Sequence, residues 1–119
     1  MITLSKLIRL AARISIDPDD FVCIDECKGA QVYVPIDRET SHRYFSPRIT
    51  AFVVGEDIYV RSLRTWDQAA TRRHELAHVE QFRKGGALFI VHYAFYACTR
   101  GYVDNPYEQE ARMAEVLKL

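Results

Sequence analysis

The sequence predicts an α+β fold, on three observations. Short runs rich in β-branched and aromatic residues crowd the first half of the chain, helical patterning takes over from Thr65, and an amphipathic stretch precedes both. At 119 residues, 49% hydrophobic and 27% charged, the chain is too apolar for disorder and too short for two full domains. One domain over 1–119 is expected, large enough to hold a core without disulfide staples.

Leu4, Leu7, Ile8 and Ala11 share one helical face of Met1–Ile16, so this stretch reads as an amphipathic helix packed on the domain. Lys6, Arg9 and Arg13 are spread through it rather than gathered ahead of an apolar block, unlike a signal peptide. Asp17-Pro18-Asp19-Asp20 breaks the helix. Phe21–Ile24, Gln31–Val34, Ile49–Val54 and Ile58–Arg61 read as strands, the last two joined in a hairpin through Gly55-Glu56-Asp57. The polar run between Pro35 and Pro47 reads as a surface loop in which His42 is solvated.

Thr65-Trp66-Asp67-Gln68 matches a capping box, which predicts a helix from Thr65 to Lys84, closed by Gly85-Gly86. Ala87–Thr99 is apolar nearly all round. At about 13 residues it is shorter than the roughly 20 that span a bilayer, so a buried core helix is expected. Asn105-Pro106 then opens a last helix, asparagine as cap and proline in the first turn.

Charge excludes some partners. Sixteen basic residues cancel sixteen acidic ones, leaving no basic stripe for nucleic acid or an anionic membrane. Cys23, Cys27 and Cys98 are an odd number without finger-like spacing, which reads as buried or free thiols in a reducing compartment.

The chemistry is concentrated in His74-Glu75-Leu76-Ala77-His78, an H-E-x-x-H pattern. On a helix His78 lies roughly 40° around the axis from His74 and about one turn along it, so both imidazoles can converge on one ion. Glu75 falls about 100° from His74, at the edge of the same face, where its carboxylate suits a general base better than a ligand. A catalytic zinc ion takes three protein ligands, so one more is needed. No histidine follows His78 closely, and the last helix offers Glu108, Glu110 and Glu115. Glu108 lies in its first turn, behind the loop that returns the chain, although Asn105 with Glu108 also reads as a capping pair. Glu110 is the fallback.

The runs HELAHVEQFRKGG and GYVDNPYEQEA resemble the glutamate-type zincins, the gluzincins, in the small single-domain form of bacterial and phage proteins and archaeal minigluzincins. The resemblance covers roughly 49–115. In many relatives the ligand glutamate begins a Glu-x-x-Ala-Asp segment, which Glu108-Gln109-Glu110-Ala111 matches through the alanine; Arg112 departs from it, so the support that aspartate gives a ligand histidine is unassigned. The resemblance implies a zincin-like fold: a small twisted mixed sheet, an N-terminal backing helix, the H-E-x-x-H helix and a C-terminal glutamate helix. It also implies zinc held by His74, His78 and Glu108, and hydrolysis of a peptide or protein substrate with Glu75 as general base. Tyr93, Tyr96, Tyr102, Tyr107 and His92 are candidates by type for stabilising the oxyanion. The alternative from another class is a zincin-like structural or interaction subunit of a phage or secretion-type particle, weak or inactive in catalysis. The expected location is the cytoplasm or such a particle.

Overall fold

The computed structural model describes residues 16–117. The helix expected over Met1–Ile16 lies, but for Ile16, outside them. After a single 3-10 turn at Pro18–Asp20, capped by Asp17, the chain forms β1 (Phe21–Cys27), β2 (Ala30–Pro35), α1 (Arg38–Tyr44), β3 (Ala51–Val54) and β4 (Asp57–Val60). Four helices follow or complete the order: α2 (Leu63–Trp66), α3 (Ala69–Gly85), α4 (Ala87–Arg100) and α5 (Pro106–Val116).

The strands form one mixed sheet in the order β1-β2-β4-β3. Two antiparallel hairpins, β1–β2 and β3–β4, meet at a parallel β2–β4 seam, where Val32 faces Ile58 and Tyr33 faces Tyr59. The first hairpin turns through Lys28 and Gly29, both at positive φ, the geometry a two-residue turn needs to follow the strand twist. The second turns through Gly55 and Glu56 between the paired Val54 and Asp57. Alternation along the strands sends Val32, Ile58 and Val60 to one face, where with Ala30, Trp66 and Val79 they make the core. Each such aliphatic side chain contributes about 1.5–3 kcal/mol by leaving water. On the opposite face Tyr33, Tyr59 and Phe52 stack across three strands at centroid distances of 5.1 and 5.2 Å, and Phe45 extends the stack beyond Phe52.

Helix α3 lies on the core face through Val79 and Leu76 and packs most extensively against α5. Trp66 is fixed beneath the sheet, its indole N–H donating to Asp25 at 2.9 Å across a bulge in β1.

Three expectations are corrected. The run between Pro35 and Pro47 is not all loop: Asp37 accepts from the Thr40 amide at 2.7 Å and starts α1, and Tyr44 donates to Asp20 at 2.7 Å and anchors its end. His42 within it is exposed. The Thr65–Gln68 capping box does not form, because Ser62 accepts from the Thr65 amide and starts the short α2; α3 then begins at Ala69 with no side-chain cap. Most consequentially, α4 is not a buried core helix. Leu88, Val91 and Phe95 are 65%, 61% and 59% exposed, and only Ala97 on this helix is buried. The end of α3 is as expected: Gly86, at φ 56 and ψ −134, caps it in a conformation open essentially to glycine alone.

Candidate metal centre

The site is assembled by two helices, α3 and α5, that pack on each other. On α3, His74 and His78 stand one turn apart with ring centroids 5.0 Å from each other and rings 74° apart. On α5, the buried Asn105 accepts from the Tyr107 amide at 3.0 Å and donates to the Tyr93 carbonyl at 3.3 Å, which fixes where the helix begins relative to α4. Pro106 sets the first turn, and that turn aims Glu108 at α3. Glu108 takes no part in a capping pair; its carboxylate faces the two imidazoles instead.

Glu108 Oε1 contacts His78 Nε2, and Glu108 Oε2 lies 3.6 Å from His74 Nε2. One ligand atom from each of the three residues lies within 4.8 Å of the others. Ligand atoms about 2.1 Å from a tetrahedral ion sit about 3.4 Å apart, within the 4.8 Å that these three donors span. Glu110, the fallback, is exposed and accepts from Gln81 rather than joining the histidines. Glu115 approaches His74 from the far side, Oε1 3.4 Å from Nδ1.

The polar accounting fits a cation. Glu108 is only 2% exposed, yet its Oε2 has no hydrogen-bond partner among the described residues. A buried carboxylate oxygen left unpaired beside two imidazole nitrogens is a donor set with an ion-sized demand. Burial alone would raise the Glu108 pKa, but the imidazoles of His74 and His78 hold it far below the usual carboxylate range. Burial likewise works against a charged His74 or His78, and the carboxylates of Glu108 and Glu75 outweigh it, raising both. Glu75 is itself buried, which pushes its carboxyl up against the opposing pull of the two histidines.

Of the tyrosines, Tyr93 and Tyr102 face this cluster: burial and then the Glu108 carboxylate raise both phenols well above their ordinary value. Tyr93 stands edge-on to His78, with centroids 6.1 Å apart. Tyr107 contacts His92 at 3.4 Å, and Tyr96 lies under Arg100; neither bond points to the cluster. Arg112 turns away from the histidines, donating to the Val103 carbonyl and lying 5.9 Å over the Tyr102 ring. Cys23, Cys27 and Cys98 are unpaired thiols outside it. A surface depression of about 470 Å³ beside Asp37, Arg38, His42 and Arg61 shares no residue with the cluster.

Gln81 was missed by the sequence reading. Buried one turn beyond His78, it bonds that ring's Nδ1 at 2.8 Å and the Tyr107 carbonyl at 2.9 Å. A glutamine three residues past a histidine has no motif, and its other partner is 26 residues away.

No family model matches the chain, and neither a curated protein nor a solved structure matches it. The chemistry therefore rests on the residues themselves. Among the described residues no helix is long and apolar enough to cross a membrane.

Proposed function

We propose that this chain is a small zinc-dependent peptide hydrolase of the gluzincin type, with His74, His78 and Glu108 as metal ligands and Glu75 as general base. One observation carries the reading: Glu108, from a helix that begins 28 residues after α3's last histidine, is buried against both imidazoles with an oxygen unpaired. Local preference asks for a glutamate near Asn105 to cap or face solvent, so its burial here calls for a partner charge.

Zinc bound there would supply Lewis acidity, lowering the pKa of a water towards about 7 and polarising a carbonyl oxygen. Glu75, on the same helical turn as His74 and raised by burial, is placed to take the water's proton and return it to the leaving amine. Tyr93 and Tyr102, kept protonated at neutral pH, can donate to the oxygen on which charge develops. Among the described residues β3 is the outer strand of the sheet and lies against α3, where an extended peptide would add by strand pairing. A zincin-like fold is part of this reading, supported by the mixed sheet and the paired α3 and α5. The proposed setting is the cytoplasm or the interior of a phage or secretion-type particle.

A second reading is favoured by the exposed Leu88, Val91 and Phe95 of α4: a metal-stabilised interaction subunit of such a particle, with little or no turnover. Hydrolysis of quenched-fluorescent peptides by the zinc-loaded chain separates the two. Cleavage that a chelator abolishes and zinc restores supports the hydrolase; a zinc-loaded chain that cleaves nothing supports the subunit.

A further inference from the structure

We propose that Gln81 is a positioning residue that fixes which nitrogen of His78 carries the proton and so presents the Nε2 lone pair to the metal; this rests on the metal reading above. The assignment follows from donors and acceptors. One end of the Gln81 amide lies 2.9 Å from the Tyr107 carbonyl oxygen and 3.3 Å from Glu110 Oε1. A backbone carbonyl and a carboxylate only accept, so the amide nitrogen must be the end that faces them. The amide oxygen is then the end 2.8 Å from His78 Nδ1. An amide oxygen only accepts, so Nδ1 must donate. A neutral imidazole that carries its proton on Nδ1 has its lone pair on Nε2, and Nε2 is the atom that meets Glu108.

The same amide ties together the two helices that bear the three ligands. Tyr107 immediately precedes Glu108, so the carbonyl that orients Gln81 belongs to the first turn of α5. A shift of that turn loosens the Gln81 amide and the His78 ring with it. Among the described residues His74 Nδ1 has no hydrogen bond, and Glu115 Oε1 lies 3.4 Å from it. Arg112, at the place where the resembled pattern has aspartate, is engaged with Val103 and Tyr102. The hydrogen bond that supports His78 therefore comes from within α3.

The test measures zinc affinity by competition with a chromophoric chelator for the unaltered chain and for Gln81→Met, which keeps length and removes both polar ends. The dissociation constant is expected to rise about 10- to 100-fold in the variant, with the circular dichroism spectrum unchanged. In parallel, long-range proton–nitrogen correlation spectra of the zinc-loaded unaltered chain are expected to show His78 protonated at Nδ1 and metallated at Nε2. Equal affinities in the two chains, or a His78 protonated at Nε2, overturns the role of Gln81 while leaving the metal site standing. The spectrum needs no variant, so it decides even if Gln81→Met fails to fold. An unaltered chain that binds no zinc overturns the metal reading itself, and this inference with it.

Discussion

Glu75 shows how one backbone position separates two chemistries. His74 beside it points its Nε2 towards Glu108, whereas Glu75, about 100° further round, is buried and takes no part in the His74–His78–Glu108 group. A carboxylate in that place is available to a proton rather than to an ion. Replacing it with glutamine keeps the volume and removes the base. Glu75→Gln is accordingly expected to bind zinc as the unaltered chain does and to lose about 10²- to 10⁴-fold in peptide turnover, checked by chelator competition beside the peptide assay. Loss of zinc together with turnover would make Glu75 a ligand. At this scale the motif itself was legible, because a helical repeat fixes the angle between His74 and His78. Gln81 was not, since the carbonyl that orients it is brought near only by the packing of α5 on α3.

Asn105 couples the elements that carry the site. It caps α5 through the Tyr107 amide, ties α5 to α4 through the Tyr93 carbonyl, and so decides where Glu108 sits. Asn105→Ala should lower unfolding stability by about 1–2 kcal/mol, read as a fall in the denaturant midpoint with an unchanged slope, and should weaken zinc binding as well. Asn105→Asp keeps the capping oxygen and loses the donor to Tyr93, so its midpoint should fall between the two. An alanine variant of full stability and full zinc affinity would remove the cap from the explanation. The cap, the hairpin at Gly55-Glu56 and the stop at Gly86 were readable because each is decided by residues close in sequence. Helix α1 was not, because Arg38–Tyr44 has the composition of a loop and is held by distant Asp20. The start of α3 was misplaced because Ser62 and Thr65 are both good caps, and Ser62 takes the amide. Burial of α4 could not be read either: apolar composition states what would be lost to water, not which neighbour arrives to cover it.

For the whole molecule, the site makes stability depend on pH in opposite senses with and without zinc. In the zinc-free chain His74 and His78 are raised above the ordinary histidine value of about 6.5, so their contribution is full below that value and is lost as pH rises through their raised ones. Glu75, raised by burial, acts in the same direction. Glu108 is lowered, so its contribution is present above the ordinary glutamate value of about 4.3 and is lost only as pH falls through its depressed one. The zinc-free chain should therefore be most stable in mildly acidic solution and weaken towards pH 8. Zinc requires deprotonated imidazoles, so its binding strengthens over the same interval. The gap in Tm between zinc-loaded and zinc-free protein should widen from about pH 6 to pH 8; a gap that narrows would mean the histidines are not ligands.

The central claim, that two imidazoles of α3 and one carboxylate of α5 hold a single ion, is tested most directly by the zinc content of the purified chain beside His78→Ala and Glu108→Ala. One equivalent of zinc in the unaltered chain and its loss from both variants is the expected result. No zinc in the unaltered chain, or zinc kept in full after Glu108→Ala, contradicts it.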